Sequence, residues 1–142
     1  MKRHLITLGL ACASIGLFAA SVQAQEYRIE TKIPFAFNVR DRTCPAGAYD
    51  IKAASMTNFE TVHNLNGKCS LFVNSRRFLS EPSGRRPRLV FRRYGQTYFL
   101  SRIWNGKGTG STIPVSSSEK HLQEATPPSE VATTVIDGVL GQ

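Results

Sequence analysis

Between Leu89 and Trp104 the chain reads LVFRRYGQTYFLSRIW, two apolar-rich runs separated by Gly95-Gln96. Glycine at the first turn position suits a two-residue type II′ hairpin. The stretch therefore predicts antiparallel strands over Leu89–Tyr94 and Thr97–Trp104. That pairing sets Tyr94 opposite Thr97, Arg93 opposite Tyr98, Arg92 opposite Phe99 and Phe91 opposite Leu100. Strand alternation then puts Leu89, Phe91, Arg93, Tyr98, Leu100 and Arg102 on one face. The other face carries Val90, Arg92, Tyr94, Phe99, Ser101 and Ile103. Each face is apolar with arginines beside aromatic rings. Burying an unpaired guanidinium is costly, so these arginines are expected at the sheet rim, with stems on apolar surface and heads in water. Exposed arginine–aromatic pairs contribute about 0.5–1 kcal/mol each, which accounts for them in an ordinary sheet. The alternative is a face built to hold an anion.

Further strand-like runs recur along the chain. Tyr27–Ile33 alternates and stops at Pro34, and Phe35, Phe37 and Val39 share a face. Arg40-Asp41-Arg42 reads as a turn, and Pro45-Ala46-Gly47 turns the chain into a strand over Ala48–Lys52. Phe59–His63 and Cys69–Val73 flank Asn66-Gly67, a type I′ hairpin signal. Glu81–Pro87 is a proline-rich loop, and Asn105–Gly110 a glycine-rich one. Helix signals are scarce. The best is Ser116 with Glu119, a capping box in which each side chain satisfies a backbone N–H of the other, predicting a helix over Ser117–Glu124. The expected fold is an all-β sandwich or small barrel of seven or eight strands with one short C-terminal helix. Residues 25–125 make the β-rich domain. Residues 126–142 form a tail that either adds a last edge strand over Val131–Ile136 or stays disordered.

The N-terminus sets the compartment. Lys2, Arg3 and His4 precede an uncharged, mostly apolar run from Leu5 to Ala20, and Val22-Gln23-Ala24 offers a small-x-small cleavage site. This is the pattern of a secretory signal peptide over residues 1–24. The apolar run is shorter than the roughly 20 residues that span a bilayer. Cys12 lacks the upstream leucine of a lipidation site, and no later run could cross a membrane. The protein is expected to be exported, to the periplasm or beyond. In an oxidising compartment Cys44 and Cys69 most simply form a disulfide, closing a loop that stabilises by about 3 kcal/mol. A reactive thiol or metal ligation are the alternatives, without CxxC or histidine spacing to support them.

Charge is unevenly distributed. The chain has 18 basic and 10 acidic residues. Between Arg76 and Lys107 nine basic residues face Glu81 alone, and the rest of the exported part is slightly acidic. Such a segment either keeps a secreted protein soluble or attracts anions. On the second reading Arg85, Arg86, Arg88, Arg92, Arg93 and Arg102, with Tyr94, Tyr98 and Trp104, make the binding face. Interleaved cations and aromatics also suit single-stranded nucleic acid, but export disfavours that partner. An anionic envelope lipid or glycan, or an envelope protein, fits better.

No catalytic constellation is readable. Ser117-Ser118-Glu119-Lys120 matches S-x-x-K, but the SDN and KTG elements that such enzymes require are missing. His63 and His121 sit in no metal-binding spacing, and Asn105–Gly110 lacks the ending of a phosphate loop. No cofactor is expected, and the chain reads as non-enzymatic.

IPFAFNVRDRTCPAGAYDI (Ile33–Ile51) and LVFRRYGQTYFLSRIW, followed by a short Ser/Glu-rich helix, resemble a family of small secreted bacterial proteins of unknown function. Its members carry a signal peptide, a PF-x-F-x-V…PAG-x-Y opening and an F-x-x-YG-x-x-YFL-x-x-IW hairpin. The resemblance spans most of the exported chain. It implies export and a single compact domain, and it carries over no catalytic or binding residue. In that pattern an apolar residue often stands where Cys44 precedes the PAG. Three functional expectations follow: a secreted binding module using the basic hairpin face, an interaction module pairing through a strand edge, or a hydrolase with an unrecognised site.

Overall fold

The computed structural model describes residues 26–54, 57–79 and 86–142. The segment expected to be a signal peptide, residues 1–24 with Cys12, and the candidate Arg85 lie outside the described residues. Among those described are twelve strands, one α-helix and a short 3-10 turn.

The strands form two stacked sheets. The first has the order β12 (Val139–Leu140), β1 (Glu26–Ile33), β4 (Gly47–Ala54), β5 (Phe59–Asn64), β6 (Ser70–Asn74), all antiparallel. The second runs β11 (Val131–Asp137), β8 (Arg88–Tyr94), β9 (Thr97–Trp104), β10 (Thr109–Thr112), β7 (Arg76–Leu79). A small hairpin of β2 (Phe37–Val39) and β3 (Arg42–Cys44) joins it through a parallel bridge, Asn38 to Phe99. The helix α1 covers Ser117–Ala125.

The all-β sandwich with one short helix matches the expectation, but the strand number is twelve rather than seven or eight. The excess lies in short segments: β3, β7, β10 and β12 have two to four residues each. Such segments are too brief to show alternation. Arg40, with φ +56, turns the chain as expected, but Arg42 already belongs to β3. The Asn66-Gly67 turn is not type I′. That type needs positive φ at both central residues, and of the two only Gly67 has it, at +74. The side chain of Asn64 instead accepts from Asn66 N–H at 3.0 Å.

Alternation builds the core between the sheets. Tyr27, Ile29, Ile33, Tyr49, Ile51, Val62 and Val73 point inward from the first sheet. Phe37, Val39, Leu89, Phe91, Leu100 and Ile103 meet them from the second. The rings of Phe37, Tyr49 and Phe91 pack edge to face at 5.1 and 5.4 Å, a favoured geometry. The Tyr49 hydroxyl donates to the Pro45 carbonyl, so the PAG turn and its tyrosine lock one another.

Two devices tie the sheets together. A disulfide joins Cys44, at the end of β3, to Cys69, before β6. The C-terminal segment, left open between edge strand and disorder, is ordered: it runs along β8 as β11, an edge strand, then crosses at Gly138 to pair with β1 as β12. A Cβ at Gly138 would lie 2.6 Å from Ile29 Cγ2, so only glycine passes this close.

The predicted hairpin register holds from Tyr94–Thr97 to Phe91–Leu100. A β-bulge then shifts it, pairing Val90 with Arg102, Leu89 with Ile103 and Arg88 with Trp104. Ser101 is the residue without an opposite number. Beyond the bulge every side chain of β9 changes face. Ile103 therefore joins Leu89 and Phe91 in the core, and Arg102 joins Val90 and Arg92 on the outer face. This reverses the face expected for both.

Candidate functional site

The hairpin divides into two regions of opposite character. At its tip, α1 lies over the outer face. Ser116 caps the helix by accepting from Glu119 N–H at 3.3 Å. Asp41, from the β2–β3 turn, accepts from Ser118 N–H at 3.2 Å and from its hydroxyl at 2.7 Å. Glu119 does not return the expected bond to Ser116, so the capping box is half formed. Its carboxylate is instead turned into the sheet and is only 2% exposed.

There it meets Arg92. The guanidinium donates through Nε to Glu119 Oε1, through Nη2 to Oε2 at 3.1 Å, and through Nη1 to Ser101 Oγ at 3.0 Å. Tyr94, also buried, donates its hydroxyl to Glu119 at 3.1 Å. Burial pulls the Arg92 pKa down, but the hydrogen bond and charge of Glu119 outweigh it, and the net shift is upward. The Tyr94 phenol is also pushed up, first by burial and then by the Glu119 charge. Of the residues proposed from sequence for a binding face, Arg92 and Tyr94 are thus turned to an internal partner. Neither is a wet rim residue. Phe99 packs against Tyr94 at 5.9 Å beneath the helix. Arg93 is exposed, on the opposite face, beside Tyr98, which stacks on Phe35 at 3.9 Å.

At the hairpin base the outer face is open. Cross-strand pairing aligns Asp137, Arg88, Trp104, Gly110 and Phe78 in one row. Val135, Val90, Arg102, Thr112 and Arg76 form the next. Arg88 lies over the Trp104 ring, 5.9 Å from its centroid. Phe78 meets the same indole edge to face at 4.9 Å. Gly110 permits that contact, since a Cβ there would lie 2.5 Å from Phe78 Cζ. Arg76 and Arg102 are exposed on either side of Thr112.

Of the proposed site residues, then, Arg88, Arg102 and Trp104 come together. Arg86 is exposed elsewhere. It edges a groove of about 620 Å³ where β11 crosses to β12 beside Glu30, Lys32 and Pro87. Arg76 and Phe78 belong to the open face and were not among the sequence candidates. The run Arg76-Arg77-Phe78-Leu79 is too short, and shows no alternation by which to read it as a strand.

A second buried carboxylate, Glu60, sits between the sheets at 1% exposure. It accepts from Tyr27 at 3.2 Å, from Ser75 at 3.4 Å and from Ser111. Burial raises its pKa, only partly offset by the Ser111 and Tyr27 bonds and the Arg77 charge. The side chains of this cluster are buried.

Ser117 and Lys120 of the S-x-x-K match lie exposed on α1. The glycine-rich loop folds on itself, with Asn105 Oδ1 accepting from Lys107 and Thr109 N–H at 2.8 and 3.2 Å. Among the described residues no three His, Cys, Asp or Glu could share a metal ion. None of the described helices is long and apolar enough to cross a membrane. Comparison with family models, curated proteins and solved structures gives no match.

Proposed function

We propose that the protein is an exported, non-enzymatic binding module of the cell envelope, and that the open end of its second sheet holds an anionic partner. One observation carries this reading. Arg76, Arg88 and Arg102 share a single outer face around Trp104 and Phe78, with Asp137 the only acid in those two rows. A guanidinium stacked on an indole keeps its in-plane N–H donors free for carboxylate or phosphate oxygens. The N-terminal leader pattern and the Cys44–Cys69 disulfide are both compatible with export.

The reading is tested by binding of the purified protein to anionic vesicles and acidic glycans across a salt titration. Binding should weaken with salt and be lost in Arg88→Glu and Arg102→Glu. It should persist in Arg93→Glu, which lies on the other face. Equal affinity in all three variants would refute the site.

A second reading rests on a different edge. Strand β6, Ser70–Asn74, ends the first sheet without a charge or proline to guard it, and Phe72 is 83% exposed there. Unguarded edges invite pairing with another strand. Oligomers that persist at high salt and vanish in Phe72→Lys would favour this reading.

A further inference from the structure

Resting on the anion-binding reading above, we infer that the occupant of this face is a linear acidic polysaccharide, laid across the strands with its carboxylates on successive arginines. The arginines stand on three different strands. Strand β8 neighbours β9, and β10 separates β9 from β7. At about 4.8 Å per strand, Arg102 and Arg76 lie about 10 Å apart in register across Thr112. A single small anion meets both only if the two side chains fold toward each other, and cannot meet them in their extended form. A chain carrying an acid on repeated units can, and the five strands give it a strip about 19 Å long at the same spacing.

The surroundings select among polyanions. Nucleic acid bases bind by stacking on open aromatic faces. Here Arg88 covers the indole of Trp104 and Phe78 packs against it, so the rings brace the arginine and leave little face for a base. A membrane surface is engaged by protruding apolar side chains beside the cations. On these two rows only Val135 among the large apolar residues is exposed, and Trp104 and Phe78 are half-buried. What the face offers is three planar donor groups in two adjoining rows, one of them braced by a ring, which suits carboxylates presented in bidentate fashion.

The strip is bounded along one side and at one end. Toward the hairpin tip α1 covers the sheet and Glu119 neutralises Arg92. Toward β11 the row ends at Asp137, which repels an acid placed beyond Arg88. A bound chain is therefore expected to run from Arg88 toward Arg76.

The test is calorimetric binding of the purified protein to galacturonate oligomers from monomer to hexamer, with phosphatidylglycerol vesicles in parallel. Affinity should rise with oligomer length until the strip is filled and then level off. Arg102→Gln should lose about tenfold for the longer oligomers, the value of one charge-assisted contact. Arg76→Gln should lose about as much for long oligomers, and nothing for the shortest that bind. Both residues are exposed, and an unchanged melting temperature confirms that each variant is folded. Arg88→Lys keeps the charge but not the stacked fork, and should also weaken binding.

A monomer that binds as tightly as the hexamer would overturn the extended chain, as would an equal cost of Arg76→Gln at every length. Vesicle binding without oligomer binding would overturn the polysaccharide and leave the cationic face standing as a lipid site. Failure of both probes at low salt would remove the inference and the anion-binding reading together.

Discussion

The tip and the base of the β8–β9 hairpin are built from the same parts, arginine beside an aromatic ring, and end in different states. At the tip Arg92 is held in a bidentate pair by Glu119, with Tyr94 and Ser101 completing the network. At the base Arg88 lies on Trp104 while Arg102 and Arg76 reach solvent. What separates them is cover. The helix α1 removes water from the tip, and a guanidinium without water needs a counter-charge. No described residue covers the base, and Arg102 and Arg76 are exposed there. Composition cannot reveal this difference, because it depends on where a helix more than a dozen residues later comes to rest.

The comparison can be broken most forcefully at the tip. Glu119→Ala leaves the Arg92 charge half-buried without its partner and should cost about 3–5 kcal/mol in urea unfolding. The double change Arg92→Met with Glu119→Leu should recover most of that, since an apolar pair can replace a buried ion pair. If Glu119→Ala were neutral, the tip would be no different from the base.

Removing the disulfide acts on both ends alike. Cys44→Ala with Cys69→Ala should cost about 3 kcal/mol, lowering the melting temperature without changing the affinity of the base for anions. A selective loss of binding would show that the base depends on the covalent tie between sheets.

The base is sharpened by Gly110→Ala. The added methyl meets Phe78 and the Ile103 carbonyl, so Phe78 must leave Trp104, at a cost of about 1–2 kcal/mol typical of overpacking. Tryptophan fluorescence should report the change. An unaltered spectrum would mean that Phe78 does not brace the indole.

Glu60 offers a smaller contrast with Glu119, as a buried acid held chiefly by hydroxyls. Burial raises its pKa above the ordinary carboxylate value, so the folded protein holds that proton more tightly than the unfolded chain. The resulting stability is full below the ordinary value and is lost as pH rises through the raised one. The urea midpoint should therefore fall over that interval, and Glu60→Gln should flatten the fall. A midpoint with the same pH slope in the variant would show that another group titrates.

The smallest effect on stability belongs to Arg102→Gln, within about 0.5 kcal/mol as for other exposed positions. Set beside Glu119→Ala, it measures the difference between an arginine pair that holds the fold and an arginine that faces solvent.

Much of the hairpin was legible. Gly95 has φ +60, as the first position of a type II′ turn requires, and four residue pairs follow in the expected register. Legibility stops at the bulge beside Ser101, which no local pattern announces. It places Arg102 outward with Arg88 and so creates the open face. The helix was visible from Ser116 and Glu119, yet the role of Glu119 was not, since its carboxylate answers a long-range partner. Phe78 and Arg76 escaped for a simpler reason: β7 is four residues long and is recognisable only through its pairing with β10.

The crossing at Gly138 bears on the order in which the sandwich forms. The sandwich closes when Ile29 and Glu30 meet Leu140 and Val139, and when Thr31 donates to the Asp137 carbonyl at 2.9 Å. The outer edge of the first strand is thus paired only by a segment that lies far along the chain. Contacts between segments so far apart in the chain cost loop-closure entropy before they are rewarded, so this closure is expected late in folding.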